Sequence, residues 1–148
     1  MALDIEDTTM AAEQRTLRIE AALGLREVQL ACAAHVPGRL AGLAAQRVRE
    51  LVDPDSGRHE LAGWPTAPDF TPLERAVLAF TEQFVMDVNG ITDELVAPLA
   101  AAMTRDEVYL LARVVQAAEV RARAGLVLRH EPALADIVAE LGTPAGVR

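Results

Sequence analysis

Thr104-Arg105-Asp106-Glu107-Val108-Tyr109-Leu110-Leu111-Ala112-Arg113-Val114-Val115 is the stretch on which the fold turns. A threonine with glutamate three positions later is a capping box. The hydroxyl accepts the glutamate N–H, and the carboxylate reaches back to the threonine N–H. The helix opened here runs to about Arg129, before Pro132. Its apolar residues fall on more than one side: Val108, Leu111 and Val115 on one, Leu110, Val114 and Ala117 on another. Such a helix is either central to its domain or buries a second face against another subunit.

Upstream, Thr71-Pro72-Leu73-Glu74 repeats the capping box, with proline at the first helical position, and launches a helix to about Val88. Asn89-Gly90 stops it, and Thr92-Asp93-Glu94 starts a short helix to about Ala102. Near the N-terminus, residues 1–9 read as a loose polar arm. From Met10 a helical pattern turns Leu17, Ala21, Leu25, Val28 and Cys32 inward at three- and four-residue steps. Gly24 interrupts it, either weakening the helix or allowing a close contact. Pro37 ends it near His35, because the residue before a proline is pushed out of the helical conformation. A shorter helix spans about Leu43 to Val52, and a last one Ala133 to Leu141. No segment reads as a strand. The expectation is a single all-α domain over residues 10–148, with about six helices and a long, turn-rich connection at 53–70. That connection holds the one tryptophan, Trp64, which either anchors the loop to the body or contacts a substrate.

Composition excludes several functions. Among 148 residues 51% are apolar but only 3% aromatic, and alanine predominates, which suits closely packed helices. The net charge of −8 argues against nucleic acid or an anionic membrane surface as a partner. All fourteen basic residues are arginine, so no Schiff base, pyridoxal-phosphate anchor or phosphate-loop lysine is available. No apolar run is long enough to span a bilayer. The acidic Asp4, Glu6 and Asp7 are unlike a signal peptide's basic start, and a single cysteine makes no internal disulfide. These features point to a cytoplasmic chain.

Leu30-Ala-Cys32-Ala-Ala-His35-Val-Pro37 holds the only cysteine and one of three histidines. Three positions apart on a helix, Cys32 and His35 share a face. They could form a nucleophile–base pair, two metal ligands, or two ordinary residues at a helix end. His35 at a helix C-terminus is suited to carrying a proton, or merely caps exposed carbonyls. Cys32 lies where the dipole disfavours a thiolate, which favours packing over nucleophilic chemistry. The Arg58-His59-Glu60 and Arg129-His130-Glu131 triplets add possible ligands, but no paired zinc spacing exists and no metal or cofactor is implied.

Two stretches resemble the carboxymuconolactone decarboxylase and alkylhydroperoxidase D-like superfamily. Arg15 to Leu43 matches a helix ending in histidine, then a short turn and Ala41-Gly42-Leu43. Phe70 to Leu128 matches its C-terminal half, through Thr-Pro-Leu-Glu-Arg75-Ala, Phe-Thr-Glu-Gln-Phe, Ile91-Thr-Asp-Glu-Leu95 and the long helix with Arg121 or Arg123. The resemblance implies an alkylhydroperoxidase D-like helical bundle, a homo-oligomer, and a pocket near subunit contacts. Redox members carry Cys-x-x-Cys-x-x-x-His with an upstream glutamate. Here those slots hold Val28, Ala31 and Thr16, and only His35 is kept. This argues against a two-thiol peroxidase cycle, since one cysteine cannot both react and resolve internally.

What the resemblance then implies is a cofactor-independent enzyme on a small carboxylated or carbonyl-bearing molecule, by decarboxylation, isomerisation or related proton transfer. His35 would be the acid/base. Arg15, beside the Thr16 relay slot, would be an anion anchor, and Trp64 a lid or wall. A different reading is a catalytically degenerate member that binds a small molecule or partner. A third is peroxidase activity through Cys32 alone, resolved by an external thiol.

Overall fold

The computed structural model describes residues 3–57 and 59–129, with side chains from residue 12 onward and without that of residue 128. It is all-α: α1 (Leu3–Ala33), α2 (Gly38–Val52), α3 (Pro72–Met86), α4 (Asp93–Ala102) and α5 (Arg105–Leu128). Single 3₁₀ turns occur at Pro54–Ser56 and Val88–Gly90, and there is no strand among the described residues. The expected helix at 133–141 lies outside the described residues.

Both capping boxes form. Glu74 N–H donates to the Thr71 hydroxyl at 3.2 Å while Thr71 N–H donates to the Glu74 carboxylate at 2.8 Å. Thr104 and Glu107 repeat this at 3.2 and 2.7 Å. At α4, the Thr92 hydroxyl takes the Leu95 N–H at 3.3 Å.

Two helices begin earlier than the sequence pattern suggests. α1 starts at Leu3, so the stretch read as a loose arm is helical almost throughout. Neither Gly nor Pro breaks the chain before Gly24. α2 starts at Gly38, not near Leu43. The Pro37 carbonyl accepts from Leu40 N–H at 2.9 Å and Ala41 N–H at 3.1 Å. Burial of Leu40 and Ala41 outweighs the poor helix propensity of Gly38 and Gly42.

α5 is the central element, packed on α1, α2, α3 and α4, while α3 sits between α2 and α4. The main core joins Val36, Leu40, Ala44 and Val48 to Val77 and Phe80, Leu99 and Met103, and Leu111, Val114, Val115 and Ala118. Val48, Val77, Leu99, Leu111 and Val115 are wholly inaccessible to solvent. A smaller cluster of Leu43, Leu61 and Leu78 takes Trp64 and Phe70 against it, fastening the 53–70 connection to α2 and α3. No helix among the described residues is long and apolar enough to cross a membrane.

Candidate functional site

His35 stands in the turn between α1 and α2. The α1 hydrogen bonding tightens as it ends: Ala34 N–H reaches back four residues to Leu30 O, but His35 and Val36 reach only three, to Cys32 O and Ala33 O. Proline at 37 has no N–H to continue the ladder. Buried Val36 pins the turn to the main core and leaves His35 exposed. No described residue hydrogen-bonds its imidazole. Cys32, a free thiol one turn earlier, is half-buried and packs against the main core.

Across the turn, α2 presents an uncapped N-terminus. Pro37 offers no side-chain cap and the first turn holds no acidic residue, so the Gly38 and Arg39 N–H groups that open α2 carry no side-chain cap. Arg39 lies in that first turn, with its side chain 65% exposed. Its Nε donates to Glu74, the α3 cap residue. Glu74 is held below the ordinary glutamate pKa by the Thr71 backbone N–H first and by Arg39 second. Imidazole, guanidinium and the start of a helix dipole are thus carried within five consecutive residues, His35 to Arg39, with the guanidinium already engaged by the Glu74 carboxylate.

The other residues expected at the site do not join it within one chain. Arg15 and Thr16 are exposed on the same unbroken helix, about 30 Å from His35 at 1.5 Å per residue. The Thr16 hydroxyl donates to Ala12 O at 3.1 Å, a bond internal to the helix. Trp64 anchors the loop: its indole N–H donates to Glu82 at 2.6 Å, and Arg47 Nε and Nη2 approach the same oxygen at 2.8 and 2.7 Å. Glu50, only 4% exposed, accepts the Leu61 N–H through both oxygens at 3.2 Å. His59 meets Pro54 O at 2.7 Å, and no cluster of three metal-ligating side chains occurs among the described residues.

One buried polar pair escaped the sequence reading. Gln29 and Arg121 are 3% and 4% exposed at the α1–α5 crossing, where Arg121 Nη1 donates to Gln29 Oε1. On α1 the inward stripe was read onto the wrong residues: Leu17, Ala21 and Val28 are exposed, and Ala22 and Gln29 are buried instead. Gln29 follows buried Ala22 by seven residues, and Arg121 follows buried Val114 by seven, so each is a polar residue on an inward stripe.

Comparison with models of protein families, with curated proteins and with solved structures gives no match to this chain.

Proposed function

We propose that the chain is a divergent member of the carboxymuconolactone decarboxylase/alkylhydroperoxidase D-like superfamily. In this reading it is an oligomeric, cofactor-independent enzyme acting on a small carboxylated or carbonyl-bearing molecule. The observation that carries the reading is exposed His35 in the turn that leads into the uncapped N-terminus of α2, whose first turn holds Arg39. The Gly38 and Arg39 N–H groups and the Arg39 guanidinium hold the substrate carboxylate, and the His35 imidazole moves a proton at the neighbouring carbon or oxygen. Arg39 takes the anchoring role first read onto Arg15, which is too far away along α1.

The test is turnover of a panel of small 3-oxo acids. Carbon dioxide release and deuterium uptake beside the carbonyl are followed by NMR. The expected result is activity that falls about 100-fold or more in His35→Gln. Arg39→Gln should raise KM more than it lowers kcat. Turnover unchanged in His35→Gln overturns the assignment.

The second reading, a binding protein without catalysis, is favoured by the distance of Arg15 and Thr16 from His35 and by Val28 and Ala31 in the family's cysteine slots. It expects carboxylates to shift the Gly38 and Arg39 amide resonances with no turnover of any panel member.

A further inference from the structure

The two capping boxes use their glutamates differently. A capping box needs one side-chain oxygen at its last position, and either glutamate or glutamine supplies it. At α5 one oxygen is enough. The Thr104 N–H at 2.7 Å and the Thr104 hydroxyl at 3.0 Å both reach Glu107 Oε2, and Oε1 meets no donor among the described residues. At α3 the two oxygens are divided. Oε2 takes the Thr71 N–H, and Oε1 takes Arg39 Nε from α2. The Glu74 side chain is 7% exposed and that of Arg39 65%, so a buried carboxylate holds an exposed guanidinium. It holds that group by one edge only. No described residue hydrogen-bonds Nη1 or Nη2, which leaves the far end of the fork open.

We propose that Glu74 is a positioning residue for carboxylate binding: it tethers Arg39 by Nε, so that Nη1 and Nη2 are offered end-on to a carboxylate. This rests on reading the segment from His35 to Arg39 as a carboxylate site, and it names the residue that prepares Arg39 for that role. A long exposed side chain loses rotamer freedom when it binds, and a tethered arginine has lost much of it beforehand. Both bonds to the carboxylate then form on a guanidinium whose plane is already set. A second effect has the opposite sign. Glu74 also puts a negative charge beside Arg39, and by Coulomb's law alone that weakens the hold on an anion. The exposed guanidinium is screened by water and salt, so the charge effect is small and the tether decides. Removing the Glu74 charge therefore weakens anion binding, the reverse of what charge alone dictates.

The test titrates acetate, a carboxylate with no reaction to undergo, into the full isotope-labelled chain at neutral pH and about 0.15 M salt. The Gly38 and Arg39 amide resonances are followed by NMR. Acetate should shift both, and Glu74→Gln should raise its dissociation constant about fivefold. Glutamine keeps an oxygen for the Thr71 N–H but has only an amide donor left for Arg39, so the cap survives and the tether does not. Thr71→Ala removes the hydroxyl half of the box, and should lower Tm while leaving the acetate constant within about twofold of wild type. In an Arg39→Gln background, Glu74→Gln should change acetate binding no further, because it acts through Arg39. Binding that is unchanged or tighter in Glu74→Gln overturns the proposal, as does equal weakening by Thr71→Ala. So does the absence of any shift in wild type up to about 100 mM acetate. Failure of the enzymatic reading looks different: acetate binding that depends on Glu74, with no 3-oxo acid turned over, keeps this inference and removes the catalysis.

Discussion

At the scale of single residues, the two capping glutamates link local structure to pH. Glu107 is held below the ordinary glutamate range by the Thr104 backbone N–H and then its hydroxyl, as Glu74 is by Thr71 and Arg39. Glu94 is lowered by its own backbone N–H and then by the Thr92 side chain. A carboxyl group whose folded pKa is depressed adds stability above its unfolded pKa and loses it as pH falls through the folded one. These three therefore contribute fully at neutral pH and progressively less below about pH 4.5. Urea unfolding between pH 7 and pH 3 should show stability falling through that window. Glu74→Gln with Glu107→Gln should start lower at neutral pH and lose less on acidification. An acid profile identical to wild type would show that the boxes are not the titrating element. Thr71→Ala tests the other half of the motif and should cost about 1 kcal/mol at pH 7.

At the scale of elements, the α1–α5 crossing depends on its buried polar pair. Gln29→Leu keeps the side-chain volume but takes an acceptor from Arg121, a residue only 4% exposed. The expected loss is about 1–3 kcal/mol, which for a chain of this size lowers Tm by roughly 3–10 °C. A melting temperature within a degree of wild type would show that the guanidinium is satisfied without Gln29. The same crossing shows what a sequence can and cannot carry. α3, α4 and α5 were legible because their starts are written in the four residues at each cap, a code that needs no tertiary partner. α2 was read five residues short because Leu40 and Ala41 are drawn into helix by burial, and burial is not local information. For the candidate site, Pro37 fixed the positions of Cys32 and His35 at the end of α1. Aligning Arg15 and Thr16 beside them required the chain to fold back, and a helix unbroken from Leu3 to Ala33 prevents it. Arg39 was overlooked because its role depends on α2 beginning at Gly38.

At the scale of the whole molecule, the question is whether the 53–70 connection is a lid or a fixed wall. Three groups hold it from the body. Glu50 on α2 takes the Leu61 N–H, and Glu82 on α3 takes the Trp64 indole alongside Arg47. Arg75, at the start of α3, donates to Phe70 O at 3.2 Å, Trp64 O at 3.0 Å, Pro65 O at 2.6 Å, and Ala67 O. A guanidinium spends most of its fork there on carbonyls that no helix or strand satisfies, so the segment is ordered by one side chain where regular structure is absent. Leu61 and Trp64 add apolar burial against Leu43 and Leu78. A segment fastened by both means should open with the body, not ahead of it. Limited proteolysis should therefore leave 59–70 uncut until global unfolding begins. Arg75→Met should change that order: four carbonyls lose their donor, while the hydrophobic cluster still holds the ends. Cleavage between Gly63 and Asp69 should then precede global unfolding, and the emission of Trp64, the chain's one tryptophan, should shift to the red. If wild-type protein is cut there at the same rate as Arg75→Met, the connection moves freely and the lid reading returns.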